Sequence, residues 1–325
     1  MASSSSSYPS GEDDDQVLVE EKAFVRTLTL NRTKQLNALS FHMISQLLDL
    51  FLAYEKGAAV KLIILKGKGR AFCAGGDVAA VVRDIREGIE HVFAMPETGL
   101  GLFPDIGASY FLSRLPGFFG EYVGLTGARM DGAEMLACGL ATHFVPAKVA
   151  STDPAFISAT IQEHSELPKL KEHSAYKRLD VIDRCFSRRT VEEIVSALER
   201  EATGRKDDWI FAAIESLKKA SPTSLKITLR SIREGRLQGV GQCLIREYRM
   251  VCHVMRGQVS KDFVEGCRAI LLDKDKNPKW EPSRLELVSD EMVDHYFTKV
   301  NDEEWEELKL PPRPSNLPSS AIAKL

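Results

Sequence analysis

The sequence predicts an α/β fold whose C-terminal half is mostly helical. Two β-like runs, Val17–Glu21 and Phe24–Leu30, open the fold, and a short apolar strand follows at Lys61–Leu65. Between them, Ser40 is the expected N-cap of a helix that runs to about Tyr54. A strand, a helix and a strand in this order indicate an α/β unit. The apolar face expected on this helix comprises Met43, Ile44, Leu47, Leu48 and Phe51.

Helical patterns dominate the second half of the chain. Thr190 and Glu193 have the spacing of a capping box, in which two reciprocal hydrogen bonds start a helix. Pro222 opens another helix, because the first turn does not need its missing N–H. Two more amphipathic helices are expected over Gln238–Met255 and Asp262–Asp273. The predicted parts are a disordered tail over 1–16, an α/β core over 17–148, a helical region over 149–310 and a tail over 311–325.

Charge and composition argue against two classes of partner. The 325 residues include 43 basic and 46 acidic side chains, a net charge of −3, and no basic stripe that would attract nucleic acid. No apolar run reaches the length of a membrane span, so no membrane partner is expected. The six cysteines are scattered and the seven histidines lack ligand spacing, so neither a metal site nor a disulfide framework is predicted.

The N-terminal end of the chain predicts disorder, and the C-terminal end predicts a targeting signal. The first sixteen residues are Ser-rich and then acidic, a composition typical of disorder rather than of a targeting signal. The chain finishes in Ala323-Lys324-Leu325, which is similar to the Ser-Lys-Leu peroxisomal address. The alternative is a chance match, because a motif of three residues is short. However, this tripeptide lies at the terminus, where an import receptor reads it. We therefore expect peroxisomal localisation, with the import receptor as a partner.

The segment from Phe93 to Phe111 holds the first candidate site residues. It places two acids, Glu97 and Asp105, in an otherwise apolar stretch that is punctuated by glycine and proline. Charged side chains are seldom buried without a partner or a task. A carboxyl group in a dry pocket has a raised pKa, which suits general-base or nucleophilic chemistry near neutral pH. The alternative is a surface loop with two ordinary acids.

A glycine turn supplies a second candidate. Gly75-Gly76-Asp77 follows a predicted strand and precedes a helical run at Val78–Ile85. Glycines in this position let backbone N–H groups point into a cleft, and a helix N-terminus adds a favourable dipole for an oxyanion. Taken alone, the turn is better explained as a tight connection in which Asp77 is an N-cap.

Five segments occur in a characteristic order: LNRTKQLNALS (30–40), KGKGRAFCAGGD (66–77), MPETGLGLFPDIGASYFL (95–112), LTGARMDGAEMLACGLATHFVP (125–146) and DFVEGCRAILLDKDKNPKW (262–280). Together they resemble the crotonase, or enoyl-CoA hydratase/isomerase, superfamily. The resemblance covers nearly the whole chain from Val17, and its specific form is similar to the 3-hydroxyisobutyryl-CoA hydrolase branch. The Ala-Lys-Leu end is similar to peroxisomal plant members of that branch.

The resemblance implies a fold and a reaction. The expected fold is a crotonase-like core, a spiral of ββα repeats, and the expected enzyme is an acyl-CoA thioester hydrolase of valine breakdown. Its substrate would be 3-hydroxyisobutyryl-CoA, with no metal or redox cofactor, because CoA is part of the substrate. Asp105 separates this branch from the hydratases, which typically have glycine at the matching position.

The resemblance also implies roles for individual residues. Glu97 would attack the thioester carbonyl or activate a water, and Asp105 would bind the β-hydroxyl of the substrate and orient the acyl group. The backbone N–H of Gly76 would donate to the thioester oxyanion. The residues expected to flank the CoA adenine and phosphates are Leu36, Ala38, Ala71 and Phe72. Phosphate partners among the lysines would be Lys34, Lys66 and Lys68, which are equally explained as solvated surface residues.

One departure from the family pattern bears on activity. Family members carry a longer segment between the glycine turn and Glu97, with a strand and a second Gly-rich turn that opens a buried helix. Here only Val78–Val92 lies between the two motifs. The expected consequence is the loss of one central strand, one helix and the second oxyanion donor. The short segment favours one alternative to a hydrolase, a catalytically impaired isoform that binds CoA or pairs with full-length subunits. A hydratase or isomerase is a further, less favoured alternative, because Asp105 occupies the position that separates the branches. A homo-oligomer is compatible with the sequence.

Overall fold

The chain consists of two compact units, Met1–Glu90 and His91–Leu325. The computed structural model describes residues 16–57, 59–69, 71–73, 75, 93–144, 165–204 and 208–310. Several predictions fall outside these residues and stay predictions. They are the helical run at Val78–Ile85, the boundary between 148 and 149, the tail at 311–325 and, except for Gln16, the tail at 1–16.

The first unit is a small sheet with one helix. β1 and β2 pair antiparallel, with Val17 opposite Leu30, whereas β2 and β3 pair parallel, with Val25 opposite Leu62. A parallel pair needs a crossover connection, and α1 supplies it between β2 and β3. The predicted order of strand, helix and strand is therefore confirmed. The elements are β1 (Val17–Lys22), β2 (Val25–Leu30), α1 (Phe41–Lys56) and β3 (Leu62–Gly67).

Helix α1 starts as predicted but buries a narrower face than predicted. The Ser40 hydroxyl accepts a hydrogen bond from the Met43 N–H at 3.1 Å, so Ser40 is the N-cap. Met43 and Leu47 are buried with Leu28 and Leu30 of the sheet. The rest of the expected face is wrong: Ile44, Leu48 and Phe51 are 48%, 56% and 38% exposed. Met43 and Leu47 share one stripe at i and i+4, and Ile44 and Leu48, each one position further on, point about 100° away from it. Phe51 continues the stripe at i+8 and is exposed all the same.

The second unit is helical, which confirms the predicted character of the C-terminal half. The capping box is present, since the Glu193 N–H donates to the Thr190 hydroxyl and the Thr190 N–H donates to the Glu193 carboxylate. Among the described residues, no helix is both long and apolar enough to cross a membrane. The helices are α2 (Ala108–Leu112), α3 (Phe119–Thr126), α4 (Gly132–Ala137), α5 (Leu179–Phe186), α6 (Val191–Gly204), α7 (Asp208–Lys219), α8 (Pro222–Gly235), α9 (Val240–Arg256), α10 (Asp262–Cys267) and α11 (Asp290–Phe297).

Two apolar clusters hold this unit together. The larger one joins α2 and α3 to α5, α6, α7 and α8. The smaller one contains Phe103, Ile227, Met250, Val293 and Tyr296, and therefore connects the loop before α2 to α8, α9 and α11. Phe103 is fully buried and lies between Glu97 and Asp105 in the chain. Burying its ring contributes about 2–3 kcal/mol, which anchors the segment that carries both acids.

Candidate active site

A single 3-10 turn carries Glu97. The turn spans Glu97–Leu100 and follows Pro96. The Gly101 N–H caps the turn by donating to its first two carbonyls, and the Leu102 N–H donates to the Glu97 carbonyl at 3.0 Å. The backbone of Glu97 is therefore fixed on its C-terminal side.

Gly101 is required at the end of this turn. Its φ of 74° lies in the left-handed region that side chains disfavour. A Cβ at this position would lie 2.3 Å from the carbonyl carbon and oxygen of Asp262, the first residue of α10. The missing side chain therefore lets the Glu97 turn pack directly against the start of α10.

Thr98 ties the same turn to the rest of the unit. Its side chain is buried, and its hydroxyl donates to the Leu125 carbonyl of α3 at 3.1 Å. Its own carbonyl accepts from the Ser221 N–H at 3.0 Å, and the Ser221 hydroxyl donates to the Asp262 carboxylate at 2.6 Å. Glu97 is thus held on a rigid turn by α3, α10 and the N-cap of α8.

The Glu97 carboxyl is poised for proton transfer or attack. Its Oε2 atom is buried and has no hydrogen-bond partner among the described residues. The pKa of Glu97 is raised to about 7, chiefly by burial and also by the negative charge of Asp105. A carboxylate with this pKa is a far stronger base than an exposed glutamate, yet it is still substantially ionised at neutral pH.

Asp105 lies in the loop that leads into α2. The pKa of Asp105 is raised to about 6, chiefly by burial and also by the charge of Glu247 on α9. The structure therefore places both predicted acids in partly buried surroundings and close enough to interact. The interpretation as two ordinary surface acids is not supported.

Three residues beside the loop of Asp105 were not predicted from the sequence. They are Glu247, Arg246 and Ser109. The Glu247 carboxylate accepts hydrogen bonds from the N–H groups of Gly107 and Ser109 and from the Ser109 hydroxyl. The Ser109 hydroxyl in turn accepts from the Arg246 guanidinium at 2.8 Å. A signal was available, because Glu247 falls on the apolar stripe of the predicted helix, at i+4 from Cys243.

The first unit brings together the segments predicted to flank CoA. The Asn37 amide donates to the carbonyls of Lys68 and Ala71 at 2.9 and 2.8 Å, so 36–38 and 71–72 lie side by side. Leu36 and Ala38 are each only 3% exposed, whereas Phe72 is 55% exposed. Of these residues Phe72 offers the largest side-chain surface to a ligand, and Leu36 and Ala38 would contribute mainly through their backbone.

The predicted oxyanion donor and the predicted phosphate-binding lysines remain to be placed. Gly76, the expected oxyanion donor, lies outside the described residues. Lys34 and Lys68 are exposed, and Lys66 lies 3.6 Å from the Glu20 carboxylate. Within the described ranges, no three His, Cys, Asp or Glu side chains are arranged as metal ligands would be.

Comparison with known proteins identifies the family. The sequence profile of the enoyl-CoA hydratase/isomerase family matches residues 25–92 and 88–297. The chain belongs to this family. The match confirms the resemblance that the five segments predicted, and its two parts meet within the Val78–Val92 connector.

Named relatives and a solved structure agree with this assignment. The chain is 63% identical over 372 residues to 3-hydroxyisobutyryl-CoA hydrolase 1 of Arabidopsis thaliana, covering 95% of this chain and 98% of the relative. It is 60% identical over 371 residues to the probable 3-hydroxyisobutyryl-CoA hydrolase 2 of the same plant, with the same coverage. The crystal structure of a carnitinyl-CoA dehydratase from Mycobacterium thermoresistibile superposes with a TM-score of 0.76 at 29% identity, covering 89% of this chain and 98% of that one. The predicted crotonase-like fold is therefore confirmed for this chain.

Proposed function

We propose that this protein hydrolyses 3-hydroxyisobutyryl-CoA to 3-hydroxyisobutyrate and CoA. The observation that carries the proposal is Glu97, a half-buried carboxyl group with a pKa of about 7 and a buried oxygen that has no partner among the described residues, beside Asp105. The high identity to plant proteins named as hydrolases of this thioester supports the choice of substrate. The enzyme is therefore an acyl-CoA thioester hydrolase.

Two routes use the same ionised Glu97. In the first, the carboxylate attacks the thioester carbonyl carbon, the C–S bond breaks, CoA leaves as its thiolate, and water hydrolyses the acyl–enzyme anhydride. In the second, the carboxylate takes a proton from a water that attacks the carbonyl directly, and CoA leaves in the same way. Both routes need the rigid turn of Glu97, because a small misplacement of a reacting group costs much of the rate.

The other site residues have supporting roles in this proposal. Asp105 accepts a hydrogen bond from the β-hydroxyl of the substrate and orients the acyl group. The N–H of Gly76 donates to the oxyanion, which lowers the barrier by a few kcal/mol in comparable sites. The residues that flank CoA are Leu36, Ala38, Ala71 and Phe72. Thioester hydrolysis transfers no electrons, so no redox cofactor is expected, and both proposed routes proceed through Glu97 without a metal.

We place the reaction in valine breakdown in the peroxisome. The support is the plant hydrolase resemblance and the terminal Ala323-Lys324-Leu325, which an import receptor would bind. A fluorescent protein fused ahead of the chain tests this. We expect punctate fluorescence that coincides with a peroxisomal marker, and diffuse fluorescence when the last three residues are removed. The same distribution with and without the tripeptide would contradict the assignment.

A second candidate function is a catalytically impaired isoform that binds CoA or pairs with full-length subunits. It rests on the short Val78–Val92 connector. The family match falls into two parts that meet there, and the alignment with the first relative extends over 372 residues although this chain has 325. Both facts support an absent internal block. Loss of one oxyanion donor alone typically slows such a reaction about a hundred- to a thousand-fold.

One assay separates the two candidates. Free-thiol release from 3-hydroxyisobutyryl-CoA is measured for the purified chain, for the chain with the family block inserted after Asp77, and for Glu97→Gln in each background. The hydrolase proposal expects release by the unmodified chain that Glu97→Gln abolishes. Release only after insertion of the block, together with a melting temperature of the unmodified chain that CoA raises, would establish the impaired, CoA-binding isoform.

A further inference from the structure

The loop that carries Asp105 has a strained backbone that needs an external support. Ile106 has a φ of 58°, a region that β-branched residues rarely occupy, and its side chain is 78% exposed. Gly107 follows with a φ of 87°. A strained conformation costs about 1–3 kcal/mol and persists only where the surroundings impose it. Since the Ile106 side chain is exposed, packing of that side chain does not impose it.

Glu247 supplies the support. Its Oε2 accepts from the Gly107 N–H at 2.5 Å, and its Oε1 accepts from the Ser109 N–H at 2.8 Å and the Ser109 hydroxyl at 2.5 Å. Both carboxylate oxygens are therefore used on the residues that directly follow Ile106. Hydrogen bonds to a charged acceptor are about twice as strong as neutral ones. Glu247 is only 2% exposed, so water does not compete for them.

Arg246 holds Ser109, one of the partners of this buried carboxylate. Its Nη2 donates to the Ser109 hydroxyl and to the Ser231 carbonyl, each at 2.8 Å, and its Nη1 lies 3.7 Å from the Glu234 carboxylate. The guanidinium is 5% exposed and thus provides a partly compensating positive charge within the same buried cluster.

We propose that Glu247 is a positioning residue for Asp105, which it holds, through the turn of Ile106, Gly107 and Ser109, at the place where the substrate β-hydroxyl binds. The proposal deepens the hydrolase function and rests on it. No other carboxylate is bonded to the N–H groups of this turn in the part of the chain that the structure describes. Glu247 does not touch the reacting atoms in this scheme. Its effect reaches the substrate only through Asp105.

The charge of Glu247 has a second consequence for Asp105. The charged groups of this cluster are Glu97 and Asp105 on the loop, Glu247 and Arg246 on α9, and Glu234 on α8. Glu247 raises the pKa of Asp105 by repulsion, after burial as the larger cause. Replacing Glu247 by glutamine removes one negative charge and therefore lowers the pKa of Asp105.

The test compares Glu247→Gln with a matched control, Glu121→Gln. Glu121 is also a fully buried glutamate of the second unit, but its carboxylate pairs with Arg236, the C-cap residue of α8, and not with the Asp105 loop. The readout is the ratio of kcat/KM for 3-hydroxyisobutyryl-CoA to that for isobutyryl-CoA, which lacks the hydroxyl. For Glu247→Gln we expect this ratio to fall about 30- to 100-fold. For Glu121→Gln we expect both rates to change by the same factor.

A second variant and two readouts without turnover complete the test. Ser109→Ala keeps the charge and both backbone bonds, so we expect a smaller fall in the ratio, about three- to tenfold. In Glu247→Gln the Gly107 and Ser109 amides should exchange hydrogen faster, and the carboxyl carbon of Asp105 should titrate at lower pH by NMR. Glu121→Gln should change neither.

The outcomes separate this inference from the function on which it rests. If the wild-type protein does not release CoA from either thioester, the hydrolase function fails, and the exchange and titration data alone decide the role of Glu247. If the wild type is active and Glu247→Gln lowers both rates equally, without altering Asp105 titration or Gly107 exchange, Glu247 is merely structural and the proposal is overturned.

Discussion

Asp105 lies near enough to Glu97 for its negative charge to raise the pKa of the Glu97 carboxyl. The two residues flank Phe103, which is fully buried, so the segment that connects them is anchored in the core. The interaction makes the ionisation of Glu97 depend on the state of Asp105. A substitution of one acid should therefore be visible in the titration of the other.

The first prediction concerns the pH dependence of hydrolysis. Only ionised Glu97 attacks or takes a proton, so kcat/KM should rise with pH and reach half its maximum near pH 7, the pKa of this group. In Asp105→Asn the residual activity should reach half-maximum at lower pH, because the repelling charge is gone. Steady-state thiol release between about pH 5 and pH 9 measures both profiles. Coincident profiles would show that Asp105 does not influence the acting base.

The second prediction concerns stability. Below about pH 4.5 the Glu97 carboxyl is protonated in both the folded and the unfolded chain, so it does not affect the free energy of unfolding. Between that pH and about 7 the unfolded state ionises first, so the folded state is progressively destabilised. Glu97→Gln should therefore be more stable than the wild type by roughly 1–3 kcal/mol at pH 8 and equally stable near pH 4.

Urea denaturation of wild type and Glu97→Gln at the two pH values measures this difference. Glu303→Gln, at an exposed position, is the control and should match the wild type at both. A Glu97→Gln variant that is less stable than the wild type at pH 8 would mean that the ionised carboxylate has a stabilising partner.

The sequence predicted the local elements of this fold well, for a physical reason. The three strands of the first unit begin within a residue of their expected starts, and the N-caps at Ser40 and Thr190 hold as expected. Strand alternation and cap hydrogen bonds depend on neighbours in the chain, so a single sequence contains them. The face that α1 buries depends instead on how much sheet lies against it, and the prediction of that face was too wide.

The candidate site was predictable only in part. Glu97 and Asp105 stand out as acids in an apolar segment, and the family resemblance assigns their roles. Glu247 stands out only as an acid on the apolar stripe of a helix, which indicates burial but not its role, because its partner Ser109 lies on α2, far away in the sequence. Its contribution depends on a tertiary contact between α2 and α9, which no local pattern encodes.

The third prediction concerns the close contact under the Glu97 turn. Gly101→Ala places a Cβ 2.3 Å from the Asp262 backbone and forces a side chain into a left-handed conformation. Overpacking costs about 1–3 kcal/mol and the conformation about 1–2 more, so we expect a loss of about 2–4 kcal/mol in the free energy of unfolding. The turn should also shift, which lowers kcat.

Gly99→Ala is the matched control for this substitution. It lies in the same turn, but a Cβ there would have no atom within 4 Å. Its free energy of unfolding should stay within about 0.5 kcal/mol of the wild type. Urea denaturation of the whole protein, followed by the tyrosine and tryptophan signals of the second unit, which include those of Tyr122 and Trp209, measures the stability of both variants. Equal stability of the two alanine variants would show that the approach to Asp262 does not constrain the turn.

The fourth prediction concerns Asn37, which joins the two segments predicted to flank CoA. Asn37 is fully buried at a φ of 59°, and besides its bonds to the Lys68 and Ala71 carbonyls its Oδ1 accepts from the Arg32 N–H. Both Asn37→Gly and Asn37→Ala lose these bonds, at a cost of about 2–4 kcal/mol for the groups left unpaired. Alanine should cost about 1 kcal/mol more than glycine, because only glycine adopts this backbone freely.

Hydrogen exchange of the β2 amides measures this effect without assuming that the two units unfold together. Both variants should exchange faster than the wild type, and Asn37→Ala should exchange faster than Asn37→Gly. If the segments bind CoA, both variants should also bind CoA more weakly, because Phe72 is no longer held beside 36–38. Wild-type exchange rates in both variants would mean that the Asn37 bonds do not stabilise the first unit. Unchanged CoA affinity in a destabilised variant would instead remove these segments from the proposed binding site.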